Sequence, residues 1–432
     1  MKVDILIVGA GPAGLQAARV AGEAGAKVAL VDDNALPGGQ IWRQGPNHSA
    51  KGAARTAIEA VTRSGNVTHL GGTRMVQALP KRQLLVEDAS NGYRIGYEKL
   101  IVATGARERF LPYPGWTLPG VTGAGGLQAL IKGGMPVRGE RIVIAGTGPL
   151  LWAAAVTARE QGAQVAAIIE QAAFGDVRRF AMGLASTPAK LVQALRMRFD
   201  LRATPHYCGA HVAEAEGKSH VTHVRVRRGD KDIRIECDRL ACAYGLMPNT
   251  QTGVALGCEL TATMDGATAF RVDEWQASSV PHVHAAGECT GVGGMELSAL
   301  EGRIAAYAAL GQRDEARALF RQRERYRRFA RRLHAAFALD PALRALAAPD
   351  TILCRCEDVR FGEAAQHRTW RDAKLQTRCG MGPCQGRICG EAAAFCFGWG
   401  PEGQRPPFSP ARIATLLEHD DRRHNRRSLI RP

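Results

Sequence analysis

No cysteine occurs before Cys208 in this 432-residue sequence, aromatic residues make up only 6%, and acidic residues are outnumbered by basic ones, 41 to 57. Long uninterrupted apolar runs are also missing. The stretch from Ile142 to Ala158 is broken by Gly146, Gly148 and Pro149, so it reads as strand, turn and helix and not as a membrane span. At the start, Lys2 is followed by a short apolar run interrupted by Asp4, which does not match a secretory signal, and a cytoplasmic location is expected. The eleven cysteines are unevenly placed, six of them between Cys354 and Cys396. That distribution excludes a disulfide framework and points to a metal or cluster site in a reducing compartment. With 45% hydrophobic and 23% charged residues, the chain is an ordinary globular one, long enough for two or three domains with full cores. The net charge of +16 raises nucleic acid as a partner, but the basic residues are not interleaved with aromatics and lie on no nucleic-acid module, so none is expected.

What is present begins at once. Val3 to Val8 has buried-strand character and runs into Gly9-Ala10-Gly11-Pro12-Ala13-Gly14, after which an alanine-rich helical pattern continues to about Gly25. In a strand, glycine turn and helix of this kind, the first glycine makes the turn, the second lets a pyrophosphate touch the backbone, and the third allows close helix-strand packing. The second strand, Lys27 to Val31, ends in Asp32, where an acid that takes ribose hydroxyls is expected. A second opening of the same type follows 137 residues later: the strand Ile142 to Ala145, Gly146-Thr147-Gly148-Pro149-Leu150-Leu151, a helix, and the strand Val165 to Ile169 ending in Glu170. Leu151 replaces the third glycine and is expected to push helix and strand apart. The second turn therefore reads either as a nicotinamide site or as a purely structural Rossmann fold.

Together with Pro37-Gly38-Gly39-Gln40-Ile41, Ile101-Val102-Ala103-Thr104-Gly105 and Ala285-Ala286-Gly287-Glu288-Cys289-Thr290-Gly291, these segments resemble the FAD-contact motifs of the two-dinucleotide-domain flavoprotein superfamily. The resemblance implies an α/β, glutathione-reductase-like fold in which FAD lies against the first glycine turn (Gly9, Gly11, Pro12, Ala13 and Gly14). Asp32 and Asp33 at the end of the second strand, then Gly39, Gln40 and Arg43, would line the same site. So would Val76, the strand end Ala103, Thr104 and Gly105, and the late acid motif Gly287-Glu288. Glu288 stands where Asp is commoner. The superfamily's disulfide reductases need a cysteine pair beside the flavin, which a chain without cysteine through residue 207 cannot supply. Its hydroxylating monooxygenases need a histidine in the linker after the Ala-Thr-Gly strand, and Arg107 to Thr122 has none.

Near the C-terminus the sequence reads Cys354-Arg-Cys356-Glu357-Asp358 and, after a helical stretch, Thr377-Arg378-Cys379-Gly380-Met381-Gly382-Pro383-Cys384-Gln385-Gly386-Arg387-Ile388-Cys389. Four thiolates can hold an iron–sulfur cluster or a structural zinc. Cys354 and Cys356 form one pair, and the second comes from Cys379, Cys384 and Cys389. The segment resembles the bacterioferritin-associated-ferredoxin-like [2Fe-2S] domain in the variant carried by FAD subunits of multi-subunit amine dehydrogenases. That likeness implies ligands at Cys354, Cys356, Cys384 and Cys389, with Cys379 at a variable position. The surrounding glycines and Gln385 are expected to donate backbone N–H groups to the sulfurs.

Gly115-Trp116-Thr117-Leu118-Pro119-Gly120-Val121, Gly291 to Gly294 and Glu301-Gly302-Arg303 extend the likeness over nearly the whole chain. It is similar to the FAD/[2Fe-2S] subunits of opine oxidases, of D-hydroxyproline and related proline dehydrogenases, and of hydrogen cyanide synthase. The resemblance implies an electron-transfer subunit with FAD and a [2Fe-2S] cluster. The amino or imino acid would be oxidised on a separate amine-oxidase-like FAD subunit, and a small [2Fe-2S] subunit would be a further partner. A stand-alone NAD(P)H-dependent reductase is the alternative. No catalytic acid or base stands out: His206, His211, His220 and His334 have no partner at catalytic spacing.

The expected organisation is an FAD domain from 1–120 and 270–310, a second Rossmann-like domain from 121–269, a basic helical linker from 311–349, the [2Fe-2S] domain from 350–398 and a basic tail from 399–432. From Gly311 onward, 24 basic residues face 14 acidic ones, so most of the net charge lies in this last part. In the linker, Tyr326, Phe329, Ala330, Leu333 and Phe337 fall on one helical face, expected to pack on the cysteine-rich module or on a partner subunit.

Overall fold

The computed structural model describes residues 1–417 apart from Asn47, Asp265 and 401–406, so most of the expected basic tail lies outside the described residues. Two sheets organise the first three hundred residues. The first is built from β1 (Lys2–Val8), β2 (Val28–Asp32), β3 (Val67–Gly71), β4 (Arg74–Leu79), β5 (Gln83–Glu87) and β6 (Gly92–Val102), in the order β3-β2-β1-β6-β5-β4, with the late strand Val283–Ala285 also paired to β6. β3, β2, β1, β6 and Val283–Ala285 run parallel, while β4 and β5 form an antiparallel flap. All five residues of β2 are buried, as expected for a strand covered on both faces. Val8 pairs with Val31 and Val102, and Val102 with Ala285, so these strands end together. Ligands of such sheets bind in the crevice beyond that carboxyl edge.

Helix α1 (Pro12–Glu23) starts on a proline, whose missing N–H is lost at no expense in the first turn, and buries an alanine-rich face against the helix Met295–Ala309. At their crossing a Cβ on Gly302 would lie 2.1 Å from the Ala13 carbonyl oxygen, so only glycine lets the two helices approach this closely.

The second sheet has five parallel strands in the order His206–Cys208, Gln164–Glu170, Arg141–Gly146, Arg239–Ala243 and Val121–Gly123. Leu151 does not wedge the helix Leu150–Glu160 away. It is fully buried among Ile142, Ile144 and Ile168 and so takes part in the helix-sheet packing.

The linker forms two helices, Arg313–Ala318 and Phe320–Ala336. Of the two expected partners of its apolar stripe, the cysteine-rich module is not the one it covers. Phe329 and Phe337 pack instead on Phe180 of the helix Phe174–Gly183, with ring centroids 5.9 and 5.1 Å apart. The cysteine-rich module rests on the second sheet's other flank: Ile352, Ile388 and Phe395 join the cluster around Trp116, and the Trp116 Nε1–H donates to the Ile352 carbonyl at 2.6 Å. Residues beyond it return to the first sheet, where Arg412 donates to the carbonyls of Asp88, Ala89 and Ser90, and Thr415 Oγ1 donates to Glu87 at 2.6 Å. No helix among the described residues is long and apolar enough to cross a membrane.

Candidate functional site

The first glycine turn is closed by protein on two sides and open on the third. Gly9 has φ +107°, and a Cβ there would sit 2.2 Å from the Ala103 carbonyl oxygen; a Cβ on Gly14 would sit 1.7 Å from the Gly9 carbonyl oxygen. At Gly11 the nearest atom is the Gly39 Cα, 4.0 Å away, and at Gly105 nothing lies within 4 Å. The two glycines with free space are therefore those expected to face a ligand, and the others are fixed by packing. Asp32 is buried: its Oδ2 accepts the Ala10 N–H at 2.6 Å and its Oδ1 the Asn34 N–H at 2.7 Å. Arg43 donates to Asn34 and to Gln40, both at 3.0 Å, yet keeps a buried Nε with no hydrogen-bond partner among the described residues. An unpaired buried guanidinium N–H beside an open glycine turn suits a phosphate-bearing group.

Thr104 joins this edge to the rest of the protein through Asn249. Its Oγ1 donates to the Asn249 carbonyl at 2.9 Å, and Asn249 Nδ2 returns a bond to the Thr104 carbonyl at 2.8 Å. Gly287 is pinned by Glu301, a buried carboxylate that accepts the Gly287 N–H and the Thr290 hydroxyl, each at 3.2 Å, and pairs with Arg327 of the linker at 3.1 Å. Burial pushes the Glu301 carboxyl up and Arg327 opposes it. Glu288 is half-buried, and burial likewise raises its carboxyl. Asp33 is exposed. The Val76 side chain is fully buried with Leu79 and Leu85 in the flap, and its carbonyl accepts the Phe408 N–H at 2.9 Å.

In the cysteine-rich module the sulfurs of Cys354, Cys379 and Cys389 lie within 4.8 Å of one another, all three residues buried. The S–H groups of Cys379 and Cys389 donate to Cys354 and hold its thiol well below the ordinary thiol range. Cys384 presents its backbone amide and thiol to Cys356, so the five sulfurs form a buried trio and a more exposed pair. Spacing left Cys379 open as a ligand and the resemblance set it at a variable position; the fold brings it next to two of the expected ligands, Cys354 and Cys389. The Gly380 N–H approaches the Cys354 sulfur at 3.5 Å, but Gln385 gives its N–H to the Gly382 carbonyl at 2.8 Å instead of to a sulfur. Gly382 is required here: a Cβ would fall 2.3 Å from the Cys356 Cβ. A donor set of soft thiolates, largely buried and with an amide aimed at one of them, suits an iron–sulfur cluster or zinc.

Sequence reasoning missed Arg107. Three residues past Thr104, it donates to Asn249 Oδ1 at 2.9 Å and, from the same guanidinium, to the Arg387 carbonyl at 3.2 Å, and forms an ion pair with Glu391. Arg387 and Glu391 flank Cys389, so a continuous run of hydrogen bonds joins the Thr104 edge to the thiol module. Its signal in the sequence was no more than an arginine two residues after the Ala-Thr-Gly motif. Of the lone histidines, His206 packs edge-on to Trp152 with centroids 4.9 Å apart and His334 bonds to the Val292 carbonyl at 2.7 Å, both structural roles.

Residues 3–309 match the pyridine nucleotide-disulphide oxidoreductase family. The chain is 34% identical to the hydrogen cyanide synthase subunit HcnB of Pseudomonas aeruginosa over 90% of its own length and 91% of that protein's. It is 32% identical to an opine oxidase subunit of Rhizobium meliloti over 96% and 99%. Among solved structures, the L-proline dehydrogenase of P. horikoshii superposes with a TM-score of 0.69 at 17% identity, covering 96% of this chain and 79% of that one, which establishes a shared fold. The chain therefore belongs to the pyridine nucleotide-disulphide oxidoreductase family, as an FAD-binding flavoprotein oxidoreductase related to HcnB and to the opine oxidase subunit.

Proposed function

We propose that this protein is the electron-transfer subunit of a hetero-oligomeric dehydrogenase for an amino or imino acid of the D-hydroxyproline, proline or opine type. The substrate would be oxidised on a separate amine-oxidase-like FAD subunit. Bound FAD exchanges electrons singly or in pairs and a [2Fe-2S] cluster takes them one at a time, which is the chemistry the two groups supply. The open turn at Gly11 and Gly105, with Arg43 and Asp32 beside it, would hold the FAD. Cys354, Cys356, Cys384 and Cys389 would hold the cluster, with Cys379 alongside.

The observation that carries this reading is the Arg107 tether, which fixes the thiol module to the same strand edge that presents Thr104 and Gly105. A tether of this kind is expected where two redox groups must stay at constant separation. The relatives named as subunits support a multi-subunit assembly. The likeness to HcnB favours a second substrate reading, a cyanide-forming oxidation, with the same division of labour.

Co-expression with its amine-oxidase-like partner tests the proposal. The complex should reduce an artificial dye with an amino or imino acid, while the purified chain alone should not. Full dehydrogenase activity from the isolated chain would refute the division between subunits.

A further inference from the structure

The second glycine turn has the sequence of a nucleotide site but is filled by the protein itself. A Cβ placed on Gly148 would lie 3.7 Å from Phe337 Cγ, so the Phe337 side chain covers the glycine against which a pyrophosphate would rest. The backbone that follows is stitched down. Thr147 Oγ1 donates to the Phe337 carbonyl at 3.2 Å, Gln171 Nε2 donates to the Ala338 carbonyl at 2.9 Å, and the Asp340 N–H donates to Gln171 Oε1 at 3.1 Å.

The turn's own donors are also committed. Gly148 gives its N–H to Glu170 Oε2 at 2.8 Å, and Leu151 gives its N–H to the Gly148 carbonyl at 3.2 Å. Glu170 is buried and accepts the Gly148 and Ala172 amides, much as Asp32 accepts Ala10 and Asn34 in the first turn, so the two acids do not distinguish the turns. The first turn differs in burial and in donors: Gly11 stays part-exposed where Gly148 is buried, and Arg43 keeps a guanidinium N–H unpaired.

Both ends of the covering segment are anchored. Upstream, Arg332 donates to the Gly183 carbonyl at 3.1 Å and Arg327 pairs with Glu301 at 3.1 Å. Downstream, Leu343 is buried in the cluster around Trp116. A nucleotide would have to displace an aromatic side chain and three hydrogen bonds to reach a turn with few free donors.

We infer that residues 337–340 are a permanent strap across the second dinucleotide fold, which therefore takes no nicotinamide or adenine nucleotide and serves as the anchor for the segment leading to the thiol module. Electrons then do not enter this chain from NAD(P)H.

Hydrogen exchange on the full-length chain tests the strap, and its readout does not depend on the electron-transfer proposal. With NAD⁺, NADP⁺ or ATP at millimolar concentration, exchange of the backbone amides of residues 146–153 and 337–340 is expected to stay unchanged. Phe337→Ala, or the milder Gln171→Ala, should accelerate exchange in residues 147–153 and 338–346 while bound flavin absorbance is retained. Protection of residues 146–153 by any of these nucleotides in the wild type overturns the inference. So does unaltered exchange in both variants.

Discussion

Removing the Arg107 side chain should loosen the thiol module from the flavin-binding body without unfolding either part. The guanidinium donates to the carbonyls of Arg387 and Pro248 and to Asn249 Oδ1, and pairs with Glu391, with side-chain exposures of 17% for Arg107 and 21% for Glu391. Breaking a fully buried pair by removing one partner costs about 3–5 kcal/mol, because the remaining charge stays desolvated. Partial exposure of both groups lowers that here to roughly 2–3 kcal/mol after screening. Since the contact lies between the module and the body, the loss should fall on their docking equilibrium, a shift of roughly 30- to 150-fold at about 1.4 kcal/mol per decade. Burial pulls the Arg107 guanidinium below its ordinary range while Glu391 holds it up, as expected for a charge that depends on its partner. Native-state hydrogen exchange should show residues 387–397 deprotected in Arg107→Ala, with those in β1 and β6 unaffected. Arg107→Lys keeps the charge but loses the fork that reaches Arg387, Asn249 and Glu391 together, so it should recover only part of the protection. Wild-type exchange in residues 387–397 of Arg107→Ala would refute the tether.

Other substitutions separate the remaining parts. Gly11→Ala should leave thermal stability unchanged, because a Cβ there meets nothing closer than 4.0 Å, yet weaken FAD binding at least about tenfold, read by flavin fluorescence on titration. Gly14→Ala should instead destabilise the fold by at least about 1–3 kcal/mol in denaturant melts, since its Cβ would overlap the Gly9 carbonyl. Cys379→Ala should retain the metal content of the wild type but alter its visible circular dichroism, whereas Cys354→Ser and Cys389→Ser should lose metal. Loss of metal from Cys379→Ala would move Cys379 into the ligand set. Burial raises the Glu170 carboxyl to about 7 in the folded chain, above its unfolded value, so its contribution is full below the unfolded pKa and falls as pH rises to about 7. Melts between pH 5 and pH 7 should show a loss of about 2 kcal/mol, which Glu170→Gln abolishes.

Local pattern made the first dinucleotide fold legible. Glycine spacing, a buried strand on either side and Asp32 are all encoded within about thirty residues, and each obeys a rule that depends on neighbours in sequence. The Gly287-Glu288 motif was read from the resemblance, and nothing local showed that Val283–Ala285 before it would pair with β6 from across the chain. Val76 was named from the resemblance alone, and nothing local showed that its carbonyl would meet the returning segment at Phe408. The linker stripe at Phe329 and Phe337 was correctly seen as apolar, yet an amphipathic face does not name its partner, and Phe180 was not identifiable as such from its own surroundings. Arg107 was hidden for the same reason, since its partner Arg387 is 280 positions away, and Cys379 was left open because only the tertiary fold decides which later sulfurs meet Cys354.

Metal and cofactor analysis of the full-length chain, purified without added metal from cells grown with adequate iron, tests the central claim most directly. Equal amounts of iron and acid-labile sulfide, each twice the FAD, with a low-temperature paramagnetic signal on reduction, are expected. Zinc in the thiol module with no labile sulfide would contradict it, because zinc carries no electrons and the Arg107 tether would then join the flavin site to a purely structural centre.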